Sequence, residues 1–348
     1  MKRITIILAA VMLLCACGTH DKAIPESADF GKYDTEFNKV FDEIAASGTN
    51  ELHGMMVLKD GKRIYQRWDV GYGPGNLNVL WSASKTFTAT AVGFAIQDGL
   101  LSLDDKAISF FPDEDLPAER CAELEALTVR DLLIMSSGFE HDALKEVRGM
   151  STPHPVRDVL SDSFIFTPGS RYKYNSANTF LVSAIVTKVT GRTVEEYLAE
   201  RLFAPLGIRR WHWDTSTDGY TAGGWGLYLT TESMAKMGQF YLQKGIWNGK
   251  RLLNEEWFDI ATKPQIYQYN RAEADEERIA GYAEDDWNQG YGFQLWICTH
   301  NSYRMDGAHG QFIVVMPDKN AVVAISSHSG SYKKALLKSV WAHVYDKL

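Results

Sequence analysis

Ser82-Ala83-Ser84-Lys85 carries the first residues whose types and spacing could do chemistry. A serine hydroxyl is a poor nucleophile until a base takes its proton, and a lysine three residues on shares its face of a helix. The pair opens the run Thr86 to Ala95, apolar around most of its circumference, so the helix is expected to be buried. A buried helix start offers free backbone N–H groups and a positive dipole end to a developing anion. Burial and the helix start both disfavour a charged ammonium, which makes Lys85 a candidate proton acceptor. The same spacing fits equally well a capping serine and a lysine that reaches for water. Ser-x-x-Lys recurs at Ser170, Ser233 and Ser331, where context reads as a turn after Pro168-Gly169, a solvated polar helix face and a helix cap.

Two further stretches could complete such a site. Tyr174-Asn175-Ser176 ends a polar, turn-rich loop ahead of an apolar helix, and a phenol held near ammonium groups has its pKa pulled down and can act as a base. Asp306-Gly307-Ala308-His309-Gly310 places two glycines beside a strand, which allows close backbone approach to a ligand. A backbone N–H there, at Ala308, could form an oxyanion hole together with that of Ser82. Read singly, each also fits a packed ring with a cap, or a tight hairpin with a surface histidine.

The elements that must position these residues follow from periodicity. Met55 to Leu58 and Arg63 to Trp68 flank Asp60-Gly61, a hairpin signal. Tyr291 to Ile297, Ser302 to Met305, Phe312 to Met316 and Ala321 to Ser326 are short β-rich runs. A lone hairpin is unstable in water, so the two groups are expected to share one antiparallel sheet. Thr86–Gln97, Thr128–Met135, Asn178–Thr190, Thr193–Phe203, Thr231–Lys244 and Lys333–Tyr345 read as helices. The expected fold class is α+β: an antiparallel sheet formed by both chain ends (about 50–80 and 288–348), flanked by helices, with a mostly helical insertion over about 82–285.

Met1-Lys2-Arg3, the apolar run Ile4 to Leu14 and the ending Leu14-Cys15-Ala16-Cys17 read as a bacterial export signal, too short to span hydrocarbon. Leu14-Cys15-Ala16-Cys17 resembles the lipobox of bacterial lipoproteins, which implies a signal over 1–16, a lipid-bearing Cys17 with a tether to residue 32, and one domain over 33–348; the alternative is a simple secretory signal cut nearby. The product would stand in the cell envelope, anchored by lipid with its domain in the periplasm. Cys121 and Cys298 are expected in the core. No metal site and no cofactor is expected, since no His, Cys and Asp cluster has ligand spacing. A net charge of −8, from 36 basic and 44 acidic residues, argues against a nucleic-acid partner.

Taken together, these stretches resemble the serine β-lactamase and penicillin-binding-protein superfamily, in its class C-related branch. The resemblance rests on Trp81 to Lys85, Gly99 to Asp105, Thr128 to Gly138, Tyr174 to Ser176, Gly224 to Thr230 and Gly307 to Gln311, in family order. It implies an acyl-enzyme on Ser82, proton transfer by Lys85 and Tyr174 with the first base left open, and an oxyanion hole of Ser82 and Ala308 N–H groups. Ser176, Gly307, His309 and Trp225 would contact substrate, and Tyr228, Trp287 and Trp296 are further candidates for an apolar acyl pocket. The family's third motif, Lys-Thr-Gly, is replaced by Met305-Asp306-Gly307 or Ala308-His309-Gly310, with no permanent cation and with an Asp306 able to repel a carboxylate. That departure, with Ser176 for the usual asparagine, is more similar to the family's esterases and 6-aminohexanoate-oligomer hydrolases. The implied function is a serine hydrolase of a small ester or amide. The alternatives are a penicillin-binding peptidase or β-lactamase, and a catalytically silent envelope binding protein.

Overall fold

The computed structural model describes residues 23–48, 50–142, 152–269, 276–330 and 333–348. Alternation of side chains along strands builds its centre. In β1 (Glu51–Lys59), Met55 and Val57 enter one core while Met56 and Leu58 enter another on the opposite face. β6 (Ala321–His328) pairs antiparallel with β1 and divides likewise, Val323 and Ile325 against Val322 and Ala324. With β2 (Lys62–Trp68), β3 (Trp296–Ile297), β4 (Tyr303–Gly307) and β5 (Gln311–Met316), the sheet order is β2-β1-β6-β5-β4-β3. Both chain ends thus share one antiparallel sheet, as expected.

One face carries α1 (Asp34–Ala45), whose Phe37, Val40, Phe41 and Ile44 are buried, and α5 (Lys333–His343). The other carries the helical region, including α2 (Ser84–Gln97), α3 (Ser176–Thr190) and α4 (Thr231–Leu242). α4 lies so close to the sheet that a Cβ on Gly238 would strike Val322 and stand 2.8 Å from Ile313 Cγ2. Glycine is the residue that admits this approach.

Several expectations shift. Of the run Tyr291 to Ile297 only Trp296–Ile297 is strand, because Gln294, at φ +60°, turns away. Its amide group donates to the carbonyls of Leu132 and Leu133. Ser233 and Lys236 are buried rather than solvated, with Lys236 facing Glu232. Cys298 is buried but Cys121 is exposed, and the two are not bridged. Asp286, in the acidic run Glu284-Asp285-Asp286, is buried and accepts from Trp341 Nε1 at 2.8 Å. The described part of the stretch read as a tether is docked: Ser27 N–H donates to Arg63 O at 2.9 Å and Gly31 N–H to Ile64 O at 3.2 Å. Residues 1–22, with Cys17 and the export signal, lie outside the described residues, as does Ser331.

Candidate active site

The short strand Asn78–Val79 pairs with Leu227–Leu229 and delivers the chain to a 3-10 turn, Trp81–Ala83, that runs into α2. Trp81 takes φ +48°, a left-handed conformation costly for a bulky side chain and frequent at functional sites. It leaves Ser82 half-buried at the helix start, while Lys85 below it is 1% exposed. The three ammonium donors of Lys85 meet three acceptors: Ser82 Oγ at 3.2 Å, Ser176 Oγ at 3.1 Å and Gly224 O at 2.8 Å. Here the lysine does not reach for water.

Ser176 is brought by the start of α3. Asn175 caps that helix through Ala177 N–H at 2.9 Å, and the Asp142 carboxylate accepts from the N–H groups of Ser176 and Ala177. A carboxylate suits a helix N-terminus. Tyr174, one residue before the cap, brings its phenol beside Ser82 and lays its ring 5.0 Å from Lys85 Nζ. Trp296 stacks on the Tyr174 ring at 6.0 Å, with Tyr291 edge-on at 6.3 Å. Burial raises the Tyr174 phenol well above its ordinary value, assisted by the charges of Asp306 and Asp142 and opposed by the Ser82 hydroxyl. This reverses the expected lowering: the phenol loses more by leaving water than it gains from the Ser82 hydroxyl, and the charges that act on it are carboxylates.

The third stretch closes the site from the sheet. Gly307 ends β4, and a Cβ there would collide with Leu80 O and lie 2.8 Å from Gln311 Cβ. The backbones on either side of Ser82 and Ala308 are therefore in contact. His309, at φ +62°, packs its ring 5.5 Å from Trp81 and 4.5 Å from His328, parallel to the latter. Gly307→Ala should push the two segments apart, at a cost of about 1–3 kcal/mol; an unchanged Tm together with unchanged turnover would contradict this contact. Trp225 is 6% exposed and its carbonyl accepts from Trp213 Nε1 at 2.9 Å; its side chain belongs to the core cluster.

Asp306 is corrected most. It is buried, bonded through Oδ2 to Arg304 Nε at 3.0 Å and through Oδ1 to Lys333 Nζ of α5. It faces two cations and does not stand as an uncompensated negative charge. Arg304 is itself fully buried, 4.2 Å from the Trp287 ring, with Nη1 donating to Asp286 O at 2.8 Å. Sequence reasoning missed Arg304, Lys333, Asp142 and Gln294. Gln294 joins α2 to α3 by accepting from Thr86 Oγ1 and Thr179 Oγ1 at 2.6 Å each, and nothing in its neighbours signals this.

Residues 37–340 match the sequence profile of the Beta-lactamase family. The chain belongs to the beta-lactamase family. Within it, the chain is 24% identical over 285 residues to the 6-aminohexanoate-dimer hydrolase of Paenarthrobacter ureafaciens, covering 77% of this chain and 70% of that one. It is 27% identical over 181 residues to the lovastatin esterase of Penicillium rubens, covering 46% and 43%. With three other curated relatives the match spans 54%, 33% and 41% of their length. Among solved structures, a Bacillus anthracis protein assigned as a 6-aminohexanoate-dimer hydrolase superposes with a TM-score of 0.72 at 19% identity, over 94% of this chain and 89% of that one. That likeness concerns the fold alone.

Histidines give this beta-lactamase-family chain a definite acid response. His53 and His309 are both held below their ordinary value, first by burial; His328 adds to the lowering in both, and Lys333 does so for His309. A depressed histidine binds its proton less readily folded than unfolded, so stability is full above the ordinary value near 6.5 and falls as pH drops through it. His141, raised by Asp162 on the exposed surface, acts in the opposite sense. Urea midpoints should decline from pH 7.5 to 5, and His53→Gln with His309→Gln should flatten that slope; an unaltered slope would count against the assignment.

Proposed function

We propose that the protein is a serine hydrolase of small esters or amides that works through an acyl-enzyme on Ser82. The observation that carries this reading is the convergence of Ser82, Lys85, Tyr174 and Ser176 on one point at the start of a buried helix. In its neutral amine form Lys85 accepts the Ser82 Oγ proton across 3.2 Å as Oγ bonds to the substrate carbonyl carbon. The N–H groups of Ser82 and Ala308 hold the oxyanion. The raised phenol of Tyr174 keeps its proton at rest, which favours Lys85 as the first base; Tyr174 then protonates the leaving alcohol or amine as the C–O or C–N bond breaks and recovers a proton from the Lys85 ammonium. Water then releases the acyl group and regenerates Ser82. Gly307, His309 and Ser176 border the substrate, and the half-buried Trp296 ring, backed by the buried Tyr291, offers an apolar wall. The amide-cleaving and ester-cleaving relatives support both bond types.

The test is a fluorophosphonate probe with intact-mass detection, followed by a panel of esters and linear amides. One adduct, mapped to Ser82, is expected; a well-folded protein without an adduct would overturn the reading. A second reading, acylation by β-lactams, is favoured by one observation: with Asp306 held by Arg304 and Lys333, the charge that would repel a substrate carboxylate is compensated. Stable labelling of Ser82 by a fluorescent penicillin would select it.

The address belongs to the same reading. Leu14-Cys15-Ala16-Cys17 resembles a lipobox, so the mature chain begins at an acylated Cys17 and stands in the cell envelope, domain in the periplasm. Radiolabelled palmitate should enter the wild type and not Cys17→Ser.

A further inference from the structure

The first described residues leave the body at a definite end of the sheet. Arg63 N–H donates to Pro25 O at 2.9 Å, and Ile24 N–H donates to Glu232 Oε1 at 2.5 Å with its side chain buried. Ala23 to Pro25 border a cavity of about 240 Å³ that also touches Gly61, in the turn between β1 and β2, and Trp247 and Asn248. The catalytic mouth lies at the other end. Glu51, at the start of β1, pairs with His328, whose ring stacks on His309 beside the oxyanion loop. Between the two ends run the nine residues of β1, about 27 Å at ~3.3 Å per residue.

We propose that in the lipid-anchored protein this turn end of the sheet rests on the membrane headgroups, so that Ser82 opens away from the bilayer toward substrates dissolved in the aqueous compartment. The proposal rests on the acylation of Cys17 inferred above. Six residue steps separate Cys17 from Ala23 and span at most about 22 Å. With the mouth against the bilayer, Ala23 would stand about 27 Å above it, beyond that reach. The chemistry of the turn end agrees. Trp247 is half-buried at the cavity's edge, and Lys62 and Lys250, next in sequence to the lining Gly61 and Gly249, are exposed. Basic side chains are drawn to anionic headgroups, and tryptophan favours the headgroup level. Arg251 is bridged to Glu255 at 3.5 Å, and Asp60, exposed in the same turn as Lys62, accepts from Asn320 Nδ2 at 2.7 Å.

The experiment uses the full-length lipidated protein in vesicles of phosphatidylglycerol and phosphatidylethanolamine. A fluorophore is placed at Asn248→Cys, or at Val70→Cys, a 95% exposed residue just past Trp68 at the mouth end. Both variants carry Cys121→Ser, since Cys121 is exposed. Lipids bearing a headgroup nitroxide should quench the label at 248 several-fold more than the label at 70. Equal or reversed quenching, with intact mass showing an acylated Cys17, overturns the orientation alone. Absence of the acyl mass on Cys17 overturns the anchor, and the orientation falls with it.

Discussion

Alanine at position 82 is expected to lower turnover of any ester or amide substrate by at least about 10³-fold, equivalent to ~4 kcal/mol of transition-state stabilisation. The fold should survive. Ser82 is half-buried, and its hydroxyl meets Lys85 Nζ at 3.2 Å and Tyr174, both of which have other neighbours. Lys85 keeps Ser176 Oγ and Gly224 O, so its charge is not left without acceptors. A Tm within about 2 °C of wild type is therefore expected, alongside loss of the fluorophosphonate adduct. Turnover that persists in a folded Ser82→Ala protein would sink the acyl-enzyme mechanism.

Asp306→Ala should have the largest effect on stability, about 3–5 kcal/mol measured by urea unfolding. Removing the carboxylate leaves the guanidinium of Arg304 fully buried and takes the partner from Lys333. The bonds from Arg304 to Asp286 O and Cys298 Sγ remain but supply no opposite charge in contact. A buried cation without a counter-charge costs more than a well-packed apolar replacement of the pair. The double variant Arg304→Met with Asp306→Leu should thus be more stable than Asp306→Ala. A loss below about 1 kcal/mol in the single variant would show that the pair contributes little. Asp306 directly precedes Gly307, so turnover should fall with stability in the single variant.

Much of the architecture is legible along the chain because its cause is local. α2, expected at 86–97, spans 84–97; α3, expected at 178–190, spans 176–190; both rest on apolar spacing with a stop at or near a glycine. The hairpin about Asp60-Gly61 and the strands at 303–307, 311–316 and 321–328 rest on alternation and turn residues. α1 is not among the helices expected from the sequence, although its Phe37, Val40, Phe41 and Ile44 recur at helical spacing. The chemistry at Ser82, Lys85, Tyr174 and Ser176 was legible for a different reason: each motif holds two reactive groups within one helical turn or one loop.

What escaped depends on partners distant in the chain. Asp306 reads as a repulsive charge until α5 folds back and sets Lys333 against it, 27 residues away. Lys236 reads as a surface lysine until the sheet and Glu232 enclose it. The Tyr174 phenol is raised rather than lowered because burial outweighs the Ser82 hydroxyl and the nearby carboxylates add to it, and burial is a sum over the whole neighbourhood. Residue types and short spacings are local properties and point to a candidate nucleophile, a candidate base and the sheet. The sign of a charge's surroundings, the depth of a ring and the end of the sheet from which the chain departs arise only when remote segments meet, since low dielectric and excluded water exist only in the assembled core.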